Sequence, residues 1–300
     1  MMSNEHQYLS LLKSLVNKAD KDLSIRDDRT GTGTYSLFGT QLDFDLSNMK
    51  VPILTTKFVP FKTILHELYW MYILKNPNTN YLDNNNVKIW REWSIVSKNN
   101  EPTIGEMYGQ ILRNFKYNFY DKDSHDNFDQ IQYVIDLLKN KPNTRRAVFS
   151  TFDPRAIADE RLSFEQNVNQ GRGVLNPCHG LVNQLYINDN NELEMFTFQR
   201  SADIFLGLPF NIVFYSVVAH LIAQILDIKA TRLVYALGDY HLYSNHLEQA
   251  KTQLSRIPLE SNCYISIDPS IKNLEDWISI DQIQLHNYKH QGVIKAPVSV

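Results

Sequence analysis

Three hundred residues, 43% hydrophobic and 21% charged, with a formal net charge of −3, describe a chain able to bury a sizeable core. That balance excludes a disordered or fibrous polymer. It also offers no broad basic surface, so nucleic acid is not an expected partner and any anionic ligand must be met by local cations. Two cysteines, Cys178 and Cys263, build neither a disulfide framework nor a zinc cluster, and a reducing, cytoplasmic setting is the expectation.

Along the chain, Tyr8, Leu11, Leu12 and Leu15 recur at helical spacing and predict an amphipathic helix over 5–18. The polar run IRDDRTGTGT reads as a loop, and Tyr35 to Phe44 as a strand with a possible bulge at Gly39. Residues 61–75 are apolar almost all round, as a buried helix would be. Asn and Pro between Asn76 and Asn86 predict a loop. A helix is expected over 128–138, a strand over 147–152, and a polar, mobile insertion near 153–177. Strands at 180–187, 192–199 and 232–237 follow, with a buried helix at 211–226 between the last two. The apolar run Ile212 to Ile225 is short and interrupted for a membrane span, so no membrane association is expected. The N-terminus lacks the apolar core of a signal peptide. No repeat or linker divides the chain, and one α+β domain over 1–300 is the expected architecture.

The sharpest chemical signal is Asn176-Pro177-Cys178-His179, where a polar loop meets an apolar strand. A thiol becomes a nucleophile when neighbouring cations depress its pKa, whereas without them Cys178 is simply a small core residue. Three segments supply cations: Arg29 in DRTGTGT, the pair Arg145-Arg146, and Arg200 followed by Ser201. Together they suit a phosphate monoester. Asp203 and Asn211 are polar residues in apolar sequence; Asn211 is a carboxamide able to read a pyrimidine edge and, where it opens the apolar helix, a candidate N-cap, and both readings can hold at once. The His241/His246 spacing fits no helical zinc site, and His66-Glu67 lacks the second histidine of HExxH, so no metal is expected.

DRTGTGT, TTK followed by HELYW, NNVKIWREW, TRR, NPCH, QRSADIFLGLPFN, GDYHLYSNH and IKAPVSV, in this order, closely resemble the thymidylate synthase family nearly end to end. The resemblance implies a large mixed β-sheet flanked by helices, and a symmetric homodimer through the sheet face with shared active sites. It implies reductive methylation of dUMP at C5 to dTMP, with 5,10-methylenetetrahydrofolate giving both carbon and hydride. Cys178 would add to C6 of the uracil, turning a poor carbon nucleophile into an enolate-like one. Arg29, Arg200 and Ser201 would hold the phosphate, with Arg145 and Arg146 reaching across from the second subunit; the same arginines would favour the thiolate. Asn211 would face O4 and N3, His241 and Tyr243 the ribose hydroxyl, and Asp203 the folate ring. Glu67 would organise proton transfer at O4 unless it is a structural partner of Lys57 or an arginine, and Tyr108 would help remove the C5 proton. Trp90 and Trp93 would give the pterin a flat apolar surface, Lys57 and Val300 would add to the folate site, and the tail 294–300 would close over it.

Departures from the family pattern touch the pocket rather than the nucleophile. Asn183 stands five residues after the cysteine where glutamine is usual, with Gln184 beside it, and one step along a strand reverses the face. Ile111-Leu112 stands where an aromatic is common before Arg113, Phe58-Val59-Pro60 is unusual at the folate entrance, and the stretch between Phe152 and Cys178 is long. The rival within the family is a dUMP hydroxymethylase, which quenches the same intermediate with water. A cytidylate-directed version typically carries aspartate where this chain has Asn211. Outside it stands a non-catalytic nucleotide- or RNA-binding regulator, which the filled chemical positions and the lack of a basic stripe oppose.

Overall fold

The computed structural model of the chain describes residues 4–21, 25–116 and 127–299. Its centre is a mixed five-stranded sheet built from β1 (Thr34–Asp45), β2 (Val148–Phe149), β3 (Val182–Ile187), β4 (Glu192–Asp203) and β5 (Lys229–Tyr243). The order across the sheet is β1-β5-β4-β3-β2. Only β4 and β5 run parallel, and the helix between them provides the crossover that a parallel pair requires.

Among the described residues, the longer helices are α1 (Asn4–Asp20), α2 (Phe61–Tyr69), α3 (Gln130–Asn140), α4 (Gly207–Ile225) and α5 (Leu247–Leu254), which flank the sheet. The most apolar, α4, has 19 residues, enough in length and composition to cross a bilayer, yet 89% of its most apolar stretch is buried within the protein. Each large side chain it removes from water contributes about 1.5–3 kcal/mol. Side-chain alternation gives the sheet two faces. On β3, Asn183, Leu185 and Ile187 point into the core while Val182, Gln184 and Tyr186 are exposed.

The elements largely follow the predicted ones, with informative differences. The run 61–75 starts as α2 but finishes in a π-helical turn, Trp70–Leu74, which ends on Lys75 at φ 58°. A short helix, Asn80–Asn84, occupies the expected loop. The strand expected at 147–152 pairs only at Val148 and Phe149, because the Ser150 amide turns to the Gln130 side chain and its hydroxyl to the Leu181 carbonyl. β5 extends six residues past Leu237, keeping its register to β1 on the far side of a glycine pair. There Gly39 adopts φ 76°, and a Cβ on Gly238 would stand 2.7 Å from the Arg200 carbonyl.

α4 begins at Gly207, four positions before Asn211, so Asn211 is not the N-cap. The Asp203 carboxylate instead accepts the Phe205 and Leu206 amides just ahead of the helix. The 153–177 segment carries its own short helix, Phe164–Asn169, with a Ser163/Gln166 capping box. Two backbone bonds tie it to the chain opposite: Val174 N to Ile104 O at 2.9 Å, and Glu106 N to Arg172 O at 3.2 Å. Beneath the site, the fully buried Arg113 side chain donates to both Asp129 oxygens, the Tyr72 carbonyl and Glu275.

Candidate active site

Cys178 lies just ahead of β3, partly accessible and flanked by buried residues. Its amide donates to the Tyr108 hydroxyl at 3.2 Å, and its Sγ lies 3.7 Å from that oxygen. Tyr108 is held unusually, at φ 34°, with its ring stacked 4.7 Å from His179. Arg200 clasps the cysteine loop: its Nε donates to Pro177 O at 2.8 Å, its Nη2 to Asn176 O at 2.9 Å, and its amide to Cys178 O at 2.9 Å. Burial pushes the thiol up, against the Tyr108 hydroxyl and the Arg200 charge, which pull it down. In the single chain desolvation outweighs these two opposing effects, and the Arg200 charge is the cation that lowers the thiol.

Glu67 projects from α2 and is 4% exposed. It accepts from Trp90 Nε1 at 2.7 Å. Burial raises its carboxyl to about 7, with the Trp90 bond opposing the rise. The alternative pairing with Lys57 is absent: Lys57 turns away, donates to the Phe205 carbonyl and sits 3.8 Å above that ring. Its ammonium, pushed down to about 8 by burial while Asp203 opposes, is directed at the Phe205 carbonyl. Trp90 packs edge-on against Trp93 and Tyr108, at 6.0 and 5.5 Å. The buried indole nitrogen of Trp93 has no hydrogen-bond partner. Phe58, from the unusual entrance triplet, lies 4.9 Å from His290.

Asn211, on the first turns of α4, donates from Nδ2 to Gln199 Oε1 at 3.2 Å, and the Tyr235 hydroxyl donates to the same oxygen at 2.6 Å. His241 and Tyr243 lie in the last three residues of β5, edge to face at 5.3 Å, and His241 Nδ1 is 2.9 Å from Asp239. Burial raises the Tyr243 phenol to about 12. Ser201 and Asp203 sit opposite Asp239 and His241 in the parallel ladder, so β4 and β5 deliver these groups to one end of the sheet. In the DRTGTGT loop, however, the Thr30 and Gly33 amides are already taken by Asp28. What the loop presents is the exposed Arg29 side chain, not free backbone amides.

The exposed pair Arg145-Arg146 stands at the sheet's β2 edge, and neither guanidinium figures among the groups acting on Cys178. Val300 lies outside the described residues. The strand question has a definite answer: Asn183 points inward, bonding Gly180 O at 2.8 Å and accepting from the Thr197 hydroxyl at 2.6 Å, while Gln184 faces out. Sequence reasoning overlooked Gln199, Tyr215 and Tyr235. Tyr215 bonds His179 Nδ1 at 2.8 Å, and burial holds that imidazole down at about 3, hence neutral. Gln199 continues the buried alternation of Leu193, Met195 and Thr197, and a polar residue at that parity was the available signal.

A thiol that feels the charge of a buried carboxyl, itself raised to about 7, is an arrangement that marks an enzyme rather than a passive scaffold. The sequence model of thymidylate synthase matches residues 6–300. A Francisella philomiragia protein named thymidylate synthase is 40% identical over 299 residues, covering 98% of this chain and 99% of its own length. One from Francisella tularensis subsp. holarctica, with the same name, is 38% identical over the same shares. The chain belongs to the thymidylate synthase family and is a methyltransferase.

Proposed function

We propose that this chain converts dUMP to dTMP by adding Cys178 to C6 of the uracil and transferring a one-carbon unit to C5. The observation that carries the reading is the junction of Cys178 Sγ, the Tyr108 hydroxyl 3.7 Å away and the nearby Glu67 charge, which acts on both. Arg29, Arg200 and Ser201 hold the phosphate, and His241 and Tyr243 the ribose. Asn211 faces O4 and N3 of the ring. Glu67, with its carboxyl near 7, both gives and takes a proton at neutral pH and so serves O4 through water. Tyr108, kept protonated by burial, relays the C5 proton to solvent.

When bound, 5,10-methylenetetrahydrofolate supplies the one-carbon unit and the hydride. The residues present fit it: the unpartnered Trp93 nitrogen and the Trp90 and Trp93 rings suit a flat polar heterocycle, and Asp203 on β4 is the carboxylate assigned to its ring. The tail over 294–299 closes over the site; the His246 imidazole, 2.7 Å from Pro297 O, anchors it. A homodimer completes the phosphate site with Arg145 and Arg146 of the second copy, which add their charges to that of Arg200 at the thiol. An outward sheet face carrying Val148, Val182 and Tyr186, each 41–50% exposed, supports that association.

The test is product mass from dUMP and the folate, alongside dihydrofolate formation by absorbance. dTMP with equimolar dihydrofolate is expected. Hydroxymethyl product without dihydrofolate would overturn the hydride step and establish the water-quenched reaction in its place.

A further inference from the structure

The backbone that bears Cys178 is held by its carbonyls. Arg200 takes those of Asn176 and Pro177 with its guanidinium and that of Cys178 with its amide. The next three are met by the residues that follow β2. Thr151 Oγ1 donates to His179 O at 3.0 Å, the Thr151 amide to Gly180 O at 3.2 Å, and the Ser150 hydroxyl to Leu181 O. Asn183 Nδ2 is a second donor to Gly180 O at 2.8 Å, and the Thr197 hydroxyl holds that amide from behind. Six consecutive carbonyls, Asn176 to Leu181, thus find partners on the two strands beside β3 or just past them.

The two sides differ in kind from an ordinary sheet. β2 stops pairing after Phe149, and from there two hydroxyls, not a backbone ladder, reach the neighbouring chain. Such a bridge depends on side-chain identity. Thr151 is 1% exposed, so without its hydroxyl the His179 carbonyl has no water to take the place. His179 in turn stacks on Tyr108, whose hydroxyl receives the Cys178 amide and stands 3.7 Å from Sγ. Gly180 turns at φ 64° against Tyr215, which leaves the segment no slack on that side. A displaced His179 backbone therefore moves the thiol against Tyr108, whereas attack on a ring carbon needs placement to within about 0.5 Å.

We infer that Thr151, with Ser150, is a positioning residue of the reaction: its hydroxyl fixes the His179 carbonyl and so holds the Cys178 thiol in place for attack. The inference rests on Cys178 being the nucleophile of the proposed reaction. Neither hydroxyl belongs to the groups assigned to phosphate, ribose or base, so its effect should fall on kcat and spare nucleotide binding.

Thr151→Val keeps the side-chain shape and loses the hydroxyl, whereas Thr151→Ser keeps the hydroxyl. Each intact protein is assayed for kcat, for dUMP affinity by calorimetry, and for iodoacetamide labelling of Cys178 and Cys263 in nucleotide-free enzyme, read by peptide mass. In Thr151→Val, kcat should fall at least about tenfold while dUMP affinity stays within about twofold of wild type. Cys178 should label at least about threefold faster as its segment loosens, with buried Cys263 keeping its wild-type rate. Thr151→Ser should return kcat to within about threefold of wild type. A folded Thr151→Val with wild-type kcat would overturn the inference. So would a loss that serine does not rescue, or Cys263 labelling faster in step with Cys178, which marks a general loosening of the fold. If Thr151→Val does not fold, Ser150→Ala carries the same test: kcat should fall about threefold, and an unchanged kcat overturns the inference. A wild type that neither binds nor turns over dUMP would instead sink the functional reading beneath it, and the labelling comparison would still judge the bridge.

Discussion

Glu67→Gln should make the protein more stable and nearly inactive, and the size of the gain follows from the site. Burial lifts this carboxyl from its ordinary 4.5 to about 7. The folded chain therefore holds the proton more tightly than the unfolded one. The resulting stabilisation is complete below about pH 4.5, shrinks as pH rises, and is gone once the folded group ionises above about 7. Ionising the group in the fold then costs about 3 kcal/mol relative to the unfolded chain. Glutamine removes that cost and still accepts from Trp90 Nε1, but it buries an amide N–H, for which about 1 kcal/mol is deducted. The net gain is about 2 kcal/mol near pH 8. With an unfolding entropy of about 2 cal/mol/K per residue, a chain of this length should melt about 3 °C higher. Thermal melts of both proteins near pH 8 and pH 5, with kcat beside them, make the assay. The gain should vanish near pH 5, and kcat should drop about a hundredfold or more. A variant no more stable near pH 8, or equally more stable at both pH values, would refute the reasoning.

Other outcomes follow from named contacts. Arg113→Met strips donors from Asp129, Glu275 and the Tyr72 carbonyl, and should lower stability by about 3 kcal/mol in denaturant titrations. Gly180→Ala would place a Cβ 1.9 Å from the Tyr215 hydroxyl at a backbone φ of 64°, so it should lower both melting temperature and kcat by disturbing the Tyr215–His179 bond. Mixing an Arg145→Ala/Arg146→Ala chain with a Cys178→Ser chain should restore activity through one intact hybrid site; no recovery after demonstrated subunit exchange would argue against shared sites.

The site was legible wherever function is written in contiguous residues. NPCH, QRSAD and GDYHLY each sit on one strand end or loop, so their order in sequence survives into space. The parity of β3 decides between Asn183 and Gln184, but parity depends on where pairing starts, which sequence leaves open. The Gln199–Tyr235 bond joins residues 36 apart on two parallel strands, and no local pattern encodes that register. Residues 61–75 are apolar all round and so carry no phase that could disclose the π-helical turn at Trp70–Leu74. Asn211 looked like a cap because the apolar run starts there, whereas Gly207 to Phe210 extend α4 backwards beneath the Asp203 side chain. Lys57 had no sequence mark to show that it would turn inward onto Phe205.

The central claim is that Cys178 forms a bond to C6 of the pyrimidine ring. A dUMP carrying fluorine at C5 tests it, because fluorine cannot depart as a cation and the adduct persists once the one-carbon unit is attached. Intact-mass spectrometry of the enzyme with this nucleotide and 5,10-methylenetetrahydrofolate should show a stable increment equal to both, with peptide mapping locating it on Cys178 and the Cys178→Ser protein unchanged. An unmodified wild-type chain that still makes dTMP, or an increment mapping to another residue, would contradict the account.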